Sequence, residues 1–229
     1  MPSPESSPRP HRLLAPIAGV TGVLMAAYLL LRPYGDAAGG ETPAAAAAFA
    51  SPLWIWSHLV GAAALVALAA LWALVSTGAV RWVALASVAL VLPYYGAETF
   101  ALHVIGIRAQ IQQNYLQLVP EVRDNSVAIS LFGVGLIALA AAGVAAAMRW
   151  RRAQAREGYR DRTAYALLPL AVVATLFLPQ FFLPPAGRIG YGLVFAAAAA
   201  YAAHALTRVA SAARVSPVSG RPVPPTTAI

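Results

Sequence analysis

The residues able to do chemistry in this chain are few, and the most conspicuous sit together in "PYYGAETFALHVIG", residues 93–106. Glu98 places a carboxylate inside an apolar run, an expensive arrangement unless the group faces a protein interior or a water-filled cavity. A carboxyl moved out of water holds its proton more tightly, so Glu98 is a candidate proton carrier or ligand-binding group. Tyr94 and Tyr95 precede it by four and three residues, which puts both on its helical face. His103 follows five residues later, about 140° away around an ideal helix, so the acid and this imidazole do not share a face. His58, in "WIWSH", supplies a second imidazole. Together His58 and His103 are candidate ligands for a metal ion or the axial pair of a b-type haem. Gln180 and Arg188 complete the candidate set, Arg188 as a charge partner for Glu98. The structural alternative is that Glu98 pairs with Arg188 or Arg32 and serves packing alone.

Composition says what must position these groups. Of 229 residues, 60% are hydrophobic and 10% charged, against about 25% charged in soluble domains. Much of the surface must therefore face something other than water. The net charge of +8 comes entirely from Arg, with no Lys. These arginines cluster in short connectors, as in membrane proteins, rather than in a nucleic-acid footprint. No Cys is present, which excludes disulfides, thiolate metal sites, iron–sulfur clusters and covalently attached haem.

A helix crossing about 30 Å of hydrocarbon needs roughly 20 apolar residues. Six segments qualify, at about 13–31, 53–76, 82–105, 127–148, 164–183 and 189–207. The expected architecture is all-α, a bundle of six transmembrane helices over residues 13–208. Its third helix is kinked at Pro93, because proline withholds a hydrogen bond from Ala89 and its ring crowds that carbonyl. The Pro/Ser-rich stretches 1–12 and 209–229 read as disordered cytoplasmic tails. The polar segment 107–125 reads as a surface helix or an extension of the third span, ended by Pro120.

Arginine placement orients the bundle. With the N-terminus in the cytoplasm, 12 arginines fall inside and four outside (Arg32, Arg108, Arg123, Arg188), so both termini are expected in the cytoplasm of a bacterial plasma membrane. Counting from the inner boundary, Glu98 lies roughly 24 Å deep, His58 roughly 28 Å and His103 roughly 31 Å. Asp36 and Tyr34 fall just past the first span. The polar groups thus gather on the extracytoplasmic side.

Phosphate loops, dinucleotide fingerprints and the G-x-S-x-G elbow are missing from the sequence, and the connectors are too short for an ATPase domain. The leading expectation is a non-enzymatic, multi-pass protein with an outward-facing polar pocket that binds a small solute or ion, with proton-coupled movement and no required cofactor. The alternatives are a redox or metal protein using His58 and His103, and a non-catalytic membrane subunit or assembly factor. The lipid bilayer is the evident partner, nucleic acid is not, and a homodimer or a partner membrane subunit is compatible with six helices. Because the chain lacks Cys, a single cysteine at Arg152 reports topology directly. An impermeant maleimide should label it only after cells are permeabilised, and labelling in intact cells would reverse the orientation.

Overall fold

In the computed structural model, residues 11–156, 158 and 162–215 are described, and they are helical without strands. In chain order the helices are α1 (His11–Leu31), α2 (Pro43–Ala50), α3 (Pro52–Leu74), α4 (Ala79–Ala109), α5 (Val119–Arg123), α6 (Ser126–Arg156), α7 (Leu168–Thr175) and α8 (Pro185–Val215). Five of them, α1, α3, α4, α6 and α8, are long and apolar enough to cross a membrane.

The expected span at 164–183 takes a different form. Its α-helical part is only α7, flanked by single 3-10 turns at Arg162–Tyr165 and Pro179–Phe182. Proline explains both ends. A proline ring crowds the carbonyl four residues earlier and offers that carbonyl no N–H. Pro169 therefore acts on Tyr165, where the first 3-10 turn stops, and Pro179 acts on Thr175, the last residue of α7. Pro93 has a milder outcome, since α4 stays helical on both sides of it.

The broken segment nevertheless runs between the two ends of α6. At one end the Trp150 indole N–H donates to the carbonyl of Thr163 at 3.0 Å. At the other, the rings of Phe132 and Phe181 meet at 5.8 Å. The eighteen residues from Phe132 to Trp150 cover about 27 Å of helix.

Small residues let the long helices close on one another, as expected where lipid supplies no hydrophobic drive between helices. α1 and α8 pack antiparallel, and a Cβ at Gly22 would lie 2.6 Å from that of Ala199. Most buried apolar side chains form a single cluster running through α1, α3, α4, α6, α7 and α8. A second cluster, around Phe49, Trp54, Leu102 and Leu116, joins the C-terminal part of α4 to α2 and the 113–118 turn. This cap covers one end of the bundle.

Several boundaries differ from the sequence reading. α4 continues to Ala109, and Pro120 lies in the first turn of α5 rather than ending a helix. The last helix reaches Val215, past residue 208, where the membrane domain was expected to end. Residues 1–10 and 216–229 of the expected tails lie outside the described residues.

One close approach in the cap is at Gly106, where an added Cβ would come within 2.5 Å of Phe49 Cβ and 2.6 Å of the Ala50 backbone nitrogen. Backbone cannot step aside as a flexible side chain can. Gly106→Ala should therefore cost about 1–3 kcal/mol, read as a lower unfolding midpoint of the detergent-purified protein. An unchanged midpoint would mean that α2 is not seated on α4.

Candidate functional site

A chain of charges lies where α1, α4 and α5 meet beneath the cap. Arg32 follows α1 directly and grips Asp36 with both terminal nitrogens, at 3.1 and 2.8 Å. The i,i+4 spacing makes that pairing local. Asp36 Oδ2 also accepts from Arg123 at 2.7 Å, and Arg123 reaches on to Glu98 Oε1 at 3.0 Å. Asp36 therefore lies between two guanidiniums, and Arg123 between two carboxylates.

Aromatic faces support both cations. The Arg32 guanidinium lies 4.9 Å from the Trp54 ring centroid and 5.1 Å from that of Tyr34. Arg123 lies 5.1 Å from Phe49 and 5.9 Å from Trp54. Ring quadrupoles attract such cations, more strongly once water is excluded. Trp54 is fully buried, and its indole N–H donates to the Glu98 backbone carbonyl at 3.3 Å.

Protonation follows from this arrangement. Burial on its own would raise the Asp36 carboxyl, but Arg32 and then Arg123 outweigh it and hold it below the usual 3.8. Burial likewise opposes charge on Arg123, yet Glu98 and Asp36 reverse that and strengthen its hold on the proton. Burial pushes the Tyr34 phenol up to about 12, so it remains a donor, at 2.7 Å from the carbonyl of Leu29.

The charge chain forms one wall of a cavity of about 310 Å³. Tyr28, Arg32 and Asp36 line it from the α1 side, and His58 lines it from α3. Tyr94 and Glu98 come from α4, Arg123 from α5, and Phe132 and Gly133 from α6. Leu178, Phe181 and Arg188 close the far side. Three guanidiniums thus face two carboxylates. Arg188 donates to the backbone carbonyls of Leu183 and Phe181, and no carboxylate pairs with it among the described residues.

The sequence-derived candidates divide. Glu98, Tyr94, His58 and Arg188 line the cavity. Glu98 pairs with Arg123, not with Arg188 or Arg32. Tyr95 stands behind the wall, 2% exposed, with its ring against Tyr28, His58 and Phe132. Gln180 is also buried outside the lining, and neither atom of its amide group is hydrogen-bonded.

The two imidazoles do not converge. The Nδ1–H of His58 donates to the carbonyl of Trp54 at 2.7 Å, which leaves Nε2 as an acceptor. His103 instead uses Nδ1 on the carbonyl of Phe49 in α2 at 2.8 Å and takes no part in the cavity lining. Among the described residues no group of three or more His, Cys, Asp or Glu is placed to hold a metal ion.

Tyr28 and Arg123 were not among the sequence candidates, and Arg32 entered only as an alternative partner for Glu98. Tyr28, Arg32 and Asp36 recur every four residues, a spacing that puts them on one helical face. That pattern is visible in "YLLLRPYGD". Arg123 had no such signal, because its partners are 25 and 87 residues away.

No known protein family, curated protein or solved structure matches this chain. The class rests on fold and site together. It is a helical protein with five helices apolar enough to cross a membrane and a cation-rich cavity at the capped end.

Breaking a buried charge pair costs about 3–5 kcal/mol, because the partner is left uncompensated. Asp36→Asn removes the anion shared by two arginines, so its cost should lie in that range. Glu98 pairs with Arg123 alone, so Glu98→Gln should cost less. Thermal unfolding of both variants tests the order, and the reverse order would refute a central role for Asp36. Because the folded carboxyl is held below 3.8, its contribution is fully present above about pH 4 and is lost as pH falls through that lowered value. The native protein should therefore lose more stability below pH 4 than Asp36→Asn does.

Proposed function

We propose that this protein crosses a bacterial plasma membrane six times and binds a small anionic solute in a cavity that opens outward. The observation that carries the reading is the excess of guanidinium over carboxylate around an aromatic-walled cavity, where Arg188 has no acidic partner among the described residues. A volume of about 310 Å³ falls at the small end of ligand pockets, roughly 300–1,000 Å³. Aromatic walls with a few convergent polar groups are typical of such sites.

The contacts of the broken segment with both ends of α6 support six crossings, and the inner excess of arginine supports cytoplasmic termini. A bend at Pro93 would widen the cavity on the side of Tyr94. Glu98 in this reading is a counter-ion that sets Arg123, and proton-coupled movement would require that pair to open. The redox alternative loses ground, because His58 and His103 engage separate carbonyls.

Gly133 gives a clean test. It lines the cavity, and a Cβ there would meet nothing within 4 Å, so a large side chain fills the space without displacing neighbours. Native protein screened against small organic anions should be stabilised by about 2.7 kcal/mol at a hundredfold excess of ligand over its Kd. Gly133→Phe should lose that stabilisation while unfolding near the native temperature in the absence of ligand. Retained stabilisation in Gly133→Phe would place the ligand elsewhere.

A further inference from the structure

An apolar groove of about 640 Å³ lies next to the charged cavity, along the surface of α6. Leu178 belongs to both walls. Gly133 lines the cavity, and Ile137, Ala141 and Val144 line the groove, successive residues of one helical face at spacings of four, four and three. Ile137 is 61% exposed and Val144 41%, so the groove opens toward the bilayer. It exists because Pro179 ends α7 at Thr175 and alanines on α6 leave the gap unfilled. From Gly133 to Ala145 the path covers about 18 Å of helix, a little over half of the roughly 30 Å hydrocarbon thickness.

We propose that cavity and groove are one site for a long-chain fatty acid, its carboxylate at Arg188 and its single alkyl chain along α6. The inference rests on the solute-binding reading above and names its ligand class. Charge points to a monoanion, since the cavity walls carry three guanidiniums and two carboxylates. Nε and Nη2 of Arg188 already donate to the carbonyls of Leu183 and Phe181, which leaves donors at Nη1 for a charge-assisted bond to a carboxylate. A single groove points to one chain, which argues against a two-chain phospholipid. The bilayer solvates an alkyl chain as well as the groove does, so the groove selects shape, and the head-group pairing supplies most of the affinity.

The experiment uses full-length protein in phosphatidylcholine nanodiscs with radiolabelled hexadecanoate. Saturable binding is expected, with hexadecanol a poor competitor because it lacks the charge. Arg188→Gln should weaken hexadecanoate at least about tenfold, equivalent to about 1.4 kcal/mol. Ala141→Trp, on the exposed surface of α6, should also weaken it by blocking the chain. Size-exclusion profiles matching the native one ensure that these losses report binding and not misfolding.

Equal competition by hexadecanol, or full binding by Ala141→Trp, would overturn the proposal. So would displacement by phosphatidylglycerol as effective as that by hexadecanoate. If hexadecanoate fails but benzoate binds and Gly133→Phe abolishes it, the fatty-acid assignment falls while the anion-binding cavity stands. If neither acid binds and Gly133→Phe changes no ligand's effect, both readings fall together.

Discussion

Everything at the capped end depends on keeping Asp36 ionised between Arg32 and Arg123. Charges taken out of water destabilise a fold unless each finds a close partner, and here each pairing satisfies two groups at once. The same contacts join parts of the chain that packing alone would leave loosely related. Arg32 and Asp36 leave the end of α1, Glu98 belongs to the middle of α4, and Arg123 closes a short helix between α4 and α6. Trp54 acts as the platform, meeting both guanidiniums with its ring and bonding the Glu98 backbone through its indole nitrogen. Removing water from this region strengthens the pairing and also shapes the cavity, because the charged wall is fixed before any ligand arrives.

The rest of the bundle is built for close approach. Gly22 sits over Ala199, and Gly61 lies against the rings of Tyr28 and Tyr95. The layer of Tyr28, His58, Tyr95 and Phe132 then backs the cavity with rings in edge and tilted contact. Beside these rings, His58 is tied to the carbonyl of Trp54 and Thr99 to that of Tyr95. The cavity therefore has a rigid aromatic floor and a charged rim, with rigidity coming from helices rather than loops.

Much of this was legible in the sequence, for physical reasons specific to each element. The five long helices announce themselves because lipid demands unbroken apolar runs. Glu98 stands out because a carboxylate in such a run needs a reason. Its partner was not legible: nothing local marks Arg123, which sits in a polar loop and is brought in by the 113–118 turn and α5. The fifth apolar stretch takes a form that apolar content alone does not give. It is as apolar as a span needs, yet two prolines at 169 and 179 divide it, and proline chemistry outranks apolar content in setting helix length. The histidines show the limit of depth counting, since His58 and His103 reach similar levels on faces that serve different neighbours.

The interrupted segment carries a consequence for biogenesis. A stretch that leaves several carbonyls without helical partners is a poor passenger through the lateral gate of a translocon, which favours continuous helices. Before α8 is synthesised it lacks Tyr191, whose hydroxyl caps the carbonyl of Val173, and Arg188, which binds the carbonyls of Phe181 and Leu183. The broken segment is therefore expected to insert together with α8 as a hairpin, the later helix rescuing the exposed backbone of the earlier segment.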